Sequence, residues 1–292
     1  MGVISVFCKK GGVGKTTILG YLAHYYAKKG EKVLIISIDD QNSIFPIYGC
    51  AEKIDDQSDN FLEHLIAEEA ELGDIMIGVR EDLDLYLVKT LNTDTLSRKL
   101  NVGKKEEKKI ESILDECSKY FNYIFIDFPP SSSRLTETLL EFSDDVILIV
   151  GLDTLALHGY RNTIQYFVDT GIDVDKIKYI LPNGYSKIKR AAKTSYSELL
   201  LQVEALSPNA KILPPLKEIA GIKNLQDLGC SVYDEVEILK KQKEKSKIEE
   251  EKLSDGTIKL KVLLSRADND SKKEIENILN EIFVNLNLTK NG

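Results

Sequence analysis

A glycine-rich turn, Gly11-Gly12-Val13-Gly14-Lys15-Thr16-Thr17, joins a β-branched run from Val3 to Cys8 to a helical pattern from Thr16 to Lys29. No other segment restricts the fold so strongly. Glycines let successive backbone N–H groups converge on an anion, and the N-terminus of the following helix adds a favourable dipole. Lys15 is spaced to reach phosphate oxygens, and the Thr16 hydroxyl is placed to ligate a divalent cation that shields them. Counting back from Gly14, the first glycine of the pattern G-x-x-x-x-G-K-T would fall on Lys9. The turn is therefore a variant form in which Lys10 directly precedes the glycine pair.

The helical pattern puts Ile18, Leu19, Leu22, Ala23 and Tyr26 on one face, with Gly30 as its stop. Lys32 to Ile38 then reads as a second strand, completing a βαβ unit. Further strands are expected at Leu83 to Val88, Tyr123 to Asp127, Asp145 to Gly151, Lys176 to Pro182 and Lys211 to Leu213. Helices are expected at Glu106 to Tyr120, Leu155 to Thr170 and Ala191 to Leu206. Continuous Val/Ile/Leu strands alternating with helices predict an α/β fold with a doubly wound, mostly parallel sheet, and the glycine-rich turn between its first strand and helix resembles that of P-loop NTPases.

The chain has 292 residues, 42% of them hydrophobic, which suits one large α/β domain spanning residues 1–292. A net charge of −8 argues against a uniformly basic nucleic-acid binder, so any contact with nucleic acid must be local. Cys8, Cys50, Cys117 and Cys230 are scattered without CxxC spacing and predict reduced thiols in a cytoplasmic protein. No apolar run approaches the ~20 residues needed to span a bilayer, and the first strand starts too early for a cleavable leader.

Two strands end in carboxylates. Ile36-Ser37-Ile38-Asp39-Asp40-Gln41 closes one, and Ile124-Phe125-Ile126-Asp127-Phe128-Pro129-Pro130-Ser131 closes another. The C-terminal edge of a parallel sheet is where ligands bind in open α/β folds. Later come Leu181-Pro182-Asn183-Gly184, Leu213-Pro214, and Gly229-Cys230-Ser231-Val232-Tyr233-Asp234. In this order, and with Lys10-Gly11-Gly12-Val13-Gly14-Lys15-Thr16-Thr17 at their head, the motifs resemble those of the ParA/MinD group of deviant Walker A ATPases, from Val3 to about Asp234. ParA-type partition ATPases are the nearest match.

The resemblance implies ATP with Mg²⁺ and assigns roles by position. Gly11, Gly12, Val13, Gly14, Lys15, Thr16 and Thr17 would hold the phosphates, and Thr16 and Asp127 the metal. Asp39 would orient the attacking water, and Asn183 and Pro214 would contact adenine. Lys10 would cross a homodimer interface to the partner's nucleotide. The family's first acid of the Asp39 segment is replaced by Ser37 and its proline by Asp40, which bears on the hydrolysis rate. A guanine-recognition [NT]KxD pattern is not visible.

Partition ATPases of this group bind DNA non-specifically and are stimulated by a centromere-binding adaptor, which implies nucleoid association. Lys187, Lys189, Arg190 and Lys193 form a compact basic stretch suited to phosphate contacts. A MinD-like membrane ATPase is the alternative, together with a protein-scaffold positioning ATPase. The expected C-terminal helix, about 271–286, carries Glu274, Glu276 and Glu281 beside its lysines and so reads as packing on the core rather than on lipid. An iron–sulfur ATPase would need paired cysteine ligands that the spacing does not offer. A Lys/Glu-rich stretch at about 235–264 reads as an insertion into the family pattern.

Overall fold

The computed structural model describes residues 2–54, 61–100, 104–153, 156–186, 188–217, 225, 229–234 and 266–291. Lys187 and the charged stretch 235–264 lie outside the described residues, as does Leu155.

Among the described residues, nine strands form one sheet: β1 (Val3–Phe7), β2 (Val33–Ser37), β3 (Ile77–Arg80), β4 (Leu83–Val88), β5 (Tyr123–Asp127), β6 (Asp145–Gly151), β7 (Ile177–Tyr185), β8 (Lys211–Ile212) and β9 (Leu216–Lys217). Their order is β3-β4-β2-β5-β1-β6-β7-β8, with β9 also pairing with β7. All pairings are parallel except β3 with β4. The antiparallel β3 follows from its two-residue connection to β4, too short for a crossover.

Side chains alternate between two cores, as a period of two requires. Ile4, Val6, Val33, Ile35, Phe125, Ile147 and Ile149 face one layer. Val3, Phe7, Leu34, Ile36, Ile124, Ile126 and Leu148 face the other. Each fully buried side chain of this kind contributes about 1.5–3 kcal/mol. The second core is covered by α3 (Leu62–Ala67), α4 (Leu72–Ile75), α5 (Thr93–Leu100), α6 (Lys104–Ser118), α7 (Arg134–Phe142), α8 (Ala156–Thr170) and α9 (Arg190–Leu206).

The first core holds α1 (Lys15–Lys28), and here the one-sided face expected from the sequence needs correcting. Every residue from Ile18 to Ala27 is buried, because α2 (Ile44–Ile47) and the C-terminal helix Arg266–Phe283 cover the outer side of α1. Tyr25 meets Phe283 edge-on at 5.4 Å, and Tyr48 donates to the Gly20 carbonyl at 2.5 Å. His24 lies inside this layer. Burial pushes its imidazole down to about 4, against the pull of Asp234, so it is neutral at ordinary pH.

Candidate functional site

The sheet register brings the site together. β5 lies between β1 and β2, with Val6 opposite Asp127 on one side and Ser37 opposite Asp127 on the other. Asp127 therefore stands between the turn after β1 and the segment after β2.

In the turn, Gly12 and Gly14 have φ of 71° and 91°, a left-handed backbone that favours glycine. A Cβ on Gly14 would also meet the Asn183 amide nitrogen at 2.9 Å. The first turn of α1 has no side-chain cap and no acidic residue, and the positive end of its dipole favours an anion there. Lys15 is buried, and its ammonium donates to the Lys10 carbonyl at 3.3 Å. Burial lowers its pKa, while the neighbouring Cys8, Asp127 and Asp39 side chains pull the other way.

Thr16 donates through Oγ1 to Asp127 Oδ1 at 3.1 Å. Among the described residues, the other carboxylate oxygen of Asp127 is buried without a hydrogen-bond partner. Burial, with Asp39 nearby, raises the Asp127 carboxyl to about 7, and Thr16 and Lys15 only partly offset this. A buried carboxylate with an orphaned oxygen beside a threonine hydroxyl is a donor set that fits Mg²⁺, which prefers oxygen ligands and keeps several waters.

The Asp39 carboxylate is half-buried and accepts from the Gln41 N–H at 3.1 Å. Asn183 sits at the end of β7 and spans to the turn, donating to the Val13 carbonyl at 2.9 Å and accepting from the Gly184 N–H at 2.8 Å. Pro214 lies two residues before Leu216, the residue opposite Asn183 in the β7–β9 register.

A family model described as an AAA domain (AAA_31) matches residues 1–175. The chain belongs to this family, the ParA/MinD type. The sporulation initiation inhibitor protein Soj of Bacillus subtilis is 30% identical over 164 residues, 56% of this chain and 63% of that protein. An uncharacterized protein of Methanocaldococcus jannaschii is 26% identical over 242 residues, 80% of this chain and 91% of its own. An ATP complex of an McdA variant from Cyanothece superposes with a TM-score of 0.70 at 17% identity, covering 96% of both chains. A plasmid partition protein from Borrelia burgdorferi gives 0.61 at 21% identity, covering 82% of this chain and 98% of the other. These two likenesses concern the fold.

For a ParA-family chain, the departures at Ser37 and Asp40 have visible settings. Ser37 is fully buried across from Asp127, and its hydroxyl donates to the Asp39 carbonyl at 3.3 Å. A carboxylate there would put a second negative charge beside an already strained Asp127. Asp40 is exposed and accepts from the Gln41 side chain at 3.1 Å.

Lys10 does not point at its own turn. Its ammonium pairs with Asp153 at 2.5 Å, and its stem lies against Gly159 of α8, where a Cβ would come within 3.3 Å. Lys189, Arg190 and Lys193 are exposed around the N-terminus of α9, beyond the end of β7.

Sequence reasoning missed the residues that brace the Asp39 segment. Asn42 adopts φ 46°, donates to the Thr90 carbonyl at 2.8 Å and accepts from the Thr90 N–H at 3.2 Å. Thr90 and Thr93 donate to the Ser37 and Ile38 carbonyls at 2.7 and 2.6 Å. Asparagine's tolerance of the left-handed region was the available signal. Asp153 was missed too, although it follows the end of β6 on the ligand-binding edge.

All four cysteines are buried, and none is in a disulfide. Among the described residues there is no group of three metal-ligating side chains, and no helix is long and apolar enough to cross a membrane.

Proposed function

We propose that this chain is a partition-type positioning ATPase. ATP binding drives a sandwich homodimer, the dimer binds DNA without sequence preference, and slow hydrolysis, stimulated by a centromere-bound adaptor, resets it. The single observation that carries the reading is the buried Asp127, held by the half-buried Thr16 hydroxyl and keeping an orphaned carboxylate oxygen among the described residues, set against the Lys15 turn. Bound at Thr16 and Asp127, Mg²⁺ would shield the β- and γ-phosphate charge.

The chain's own groups would do the rest. Lys15 and the N–H groups of residues 11–17 hold the phosphates, and Asp39 orients the attacking water. Asn183 and Pro214 border the base. Lys10 leaves Asp153 to reach the partner's nucleotide. Lys187, Lys189, Arg190 and Lys193 meet DNA phosphates, which would place the dimer on the nucleoid.

The apolar stripe of the C-terminal helix, Ile275, Leu279, Ile282 and Phe283, is buried in the first core. It is already occupied, which favours DNA over a lipid surface. The test is binding to non-specific double-stranded DNA at several salt concentrations. Wild type with ATP should bind at least about tenfold tighter than with ADP and weaken steeply as salt rises, and Lys15→Ala should show no ATP-dependent gain. Dimerisation with ATP but without DNA binding would sink the partition reading in favour of a membrane or protein-scaffold positioning ATPase.

A further inference from the structure

The middle of the glycine-rich turn is pinned from outside it. Val13 stands between Gly12 and Gly14, both in left-handed backbone at φ of 71° and 91°. A glycine on either side leaves a residue with unusual backbone freedom, so holding it in one conformation costs correspondingly more entropy. Two strands hold it. Val13 is buried with its side chain against Gly151 of β6, where a Cβ would stand 3.6 Å from Val13 Cγ1. From β7, the Asn183 amide donates to the Val13 carbonyl at 2.9 Å. The approach is close: a Cβ on Gly14 would fall 2.9 Å from the same Asn183 nitrogen, so the last glycine of the turn also clears the way for the amide.

Asn183 is itself held in place. Its backbone pairs in parallel with Gly151 of β6 on one side and Leu216 of β9 on the other, and its carbonyl accepts from the Leu152 N–H at 2.7 Å. Its side-chain oxygen accepts from the Gly184 N–H at 2.8 Å, where Gly184 has φ of 81°. That bond decides which way the amide faces. Turned over, the amide would set its NH2 group against the Gly184 N–H and its oxygen against the Val13 carbonyl, donor on donor and acceptor on acceptor. The Asn183-Gly184 pair therefore presents a donor of fixed direction to the turn, across 170 positions of sequence. Just beyond, Tyr185 meets Tyr196 of α9 edge-on at 5.5 Å, which ties the end of β7 to the helix layer.

We propose that Asn183 is a positioning residue for the triphosphate rather than a selector of the base: through Val13 it holds the glycine-rich turn in its anion-binding shape before a nucleotide arrives. Both polar atoms of its side chain are engaged by the protein, the nitrogen by the turn and the oxygen by the next residue. Order already present in the nucleotide-free chain does not have to be created on binding, so the prop raises affinity for any ligand that carries the phosphates. A contact with the base would act only on ligands that have one. This role rests on the reading of the turn as a Mg·ATP site, and within that site it moves Asn183 from adenine to the phosphates.

The test compares ATP with inorganic triphosphate, which has the phosphates without the base, each with Mg²⁺, by titration calorimetry on the full chain and on Asn183→Ala. The variant should bind both ligands about tenfold more weakly, and by the same factor, as the loss of one such hydrogen bond implies. Asn183 is half-buried at a strand end whose backbone pairing does not need its side chain, so Tm should stay at the wild-type value. A loss confined to ATP overturns the proposal, because Asn183 would then act through the base. A Tm well below wild type overturns it too, since the residue would then serve the fold as a whole. Wild type that binds both ligands while Asn183→Ala binds them equally well removes this role alone. Wild type that binds neither removes the Mg·ATP reading of the turn, and this role with it.

Discussion

The two ends of the central sheet treat their polar groups in opposite ways. At the C-terminal ends of β1, β2 and β5, Asp127 keeps an unpartnered oxygen, α1 starts uncapped, and Gly12, Gly14 and Asn42 hold left-handed backbone. At the other end, the chain after the C-terminal helix stitches the strands together. Asn291 accepts from the Gly2 N–H and donates to the Phe121 carbonyl, and its own N–H bonds to the Asn122 carbonyl. Asp144 and Asp145 accept from the Val3 and Thr289 N–H groups at 3.0 and 2.6 Å. Gly2 is needed there, since a Cβ would lie 2.8 Å from two backbone atoms. Saturated hydrogen bonds hold a sheet edge shut, whereas unsaturated ones raise the free energy of the empty site and reward whatever binds.

The sharpest way to break this contrast is Asp127→Asn. If Asp127 holds Mg²⁺ as proposed, loss of its charge should lower ATP turnover by about a hundredfold or more, read in a phosphate-release assay. The same change should stabilise the nucleotide-free protein. With the Asp127 carboxyl raised from 3.8 to about 7, the folded state binds a proton more tightly than the unfolded state does. The stability contributed by that proton is fully present at low pH and is lost as pH rises from about 4 through about 7, on the order of a few kcal/mol. Urea titrations across that window should show the fall for wild type and a flatter profile for Asp127→Asn. Equal slopes would mean that Asp127 is not strained.

The opposite end should answer in stability alone. Asn291→Ala strips a partner from the Gly2 N–H and the Phe121 carbonyl and should cost about 1–3 kcal/mol, seen as a lower Tm. Nucleotide affinity, measured by titration calorimetry, should be unchanged. A shift in affinity without one in Tm would show that the two ends are coupled. The smallest effect is expected for Asp153→Ala. A partly exposed ion pair contributes about 0–1 kcal/mol, so Tm should barely move while Lys10 is released from α8. A large loss of stability would instead make the Lys10–Asp153 pair structural.

Most of the sheet was legible from continuous apolar runs. β4, β5 and β6 fall at the residues expected: β5 and β6 are buried on both faces and show their boundaries as changes of composition, and β4 shows its own as a partly alternating apolar run. β3 and β9 were not legible: a short edge strand with a mixed pattern, Ile77–Arg80, and a two-residue pairing carry too little periodicity to read. The all-round burial of α1 was hidden for another reason. It depends on a helix about 250 residues later in the chain, and periodicity describes only local faces.

The sequence alone determined the glycine-rich turn, the α/β class and the two acidic strand ends, because each is written in contiguous residues whose backbone chemistry is local. Only the tertiary structure decided that Asp127 accepts from Thr16 while its other oxygen has no partner among the described residues, that Lys10 is held by Asp153 of its own chain, and that Asn42 is locked by Thr90. It alone brought Asn183 to the Val13 carbonyl. Those facts depend on strand order and on side chains meeting across 40 or more positions of sequence, and burial, which gives such pairs their energy, does not exist until the chain has closed on itself.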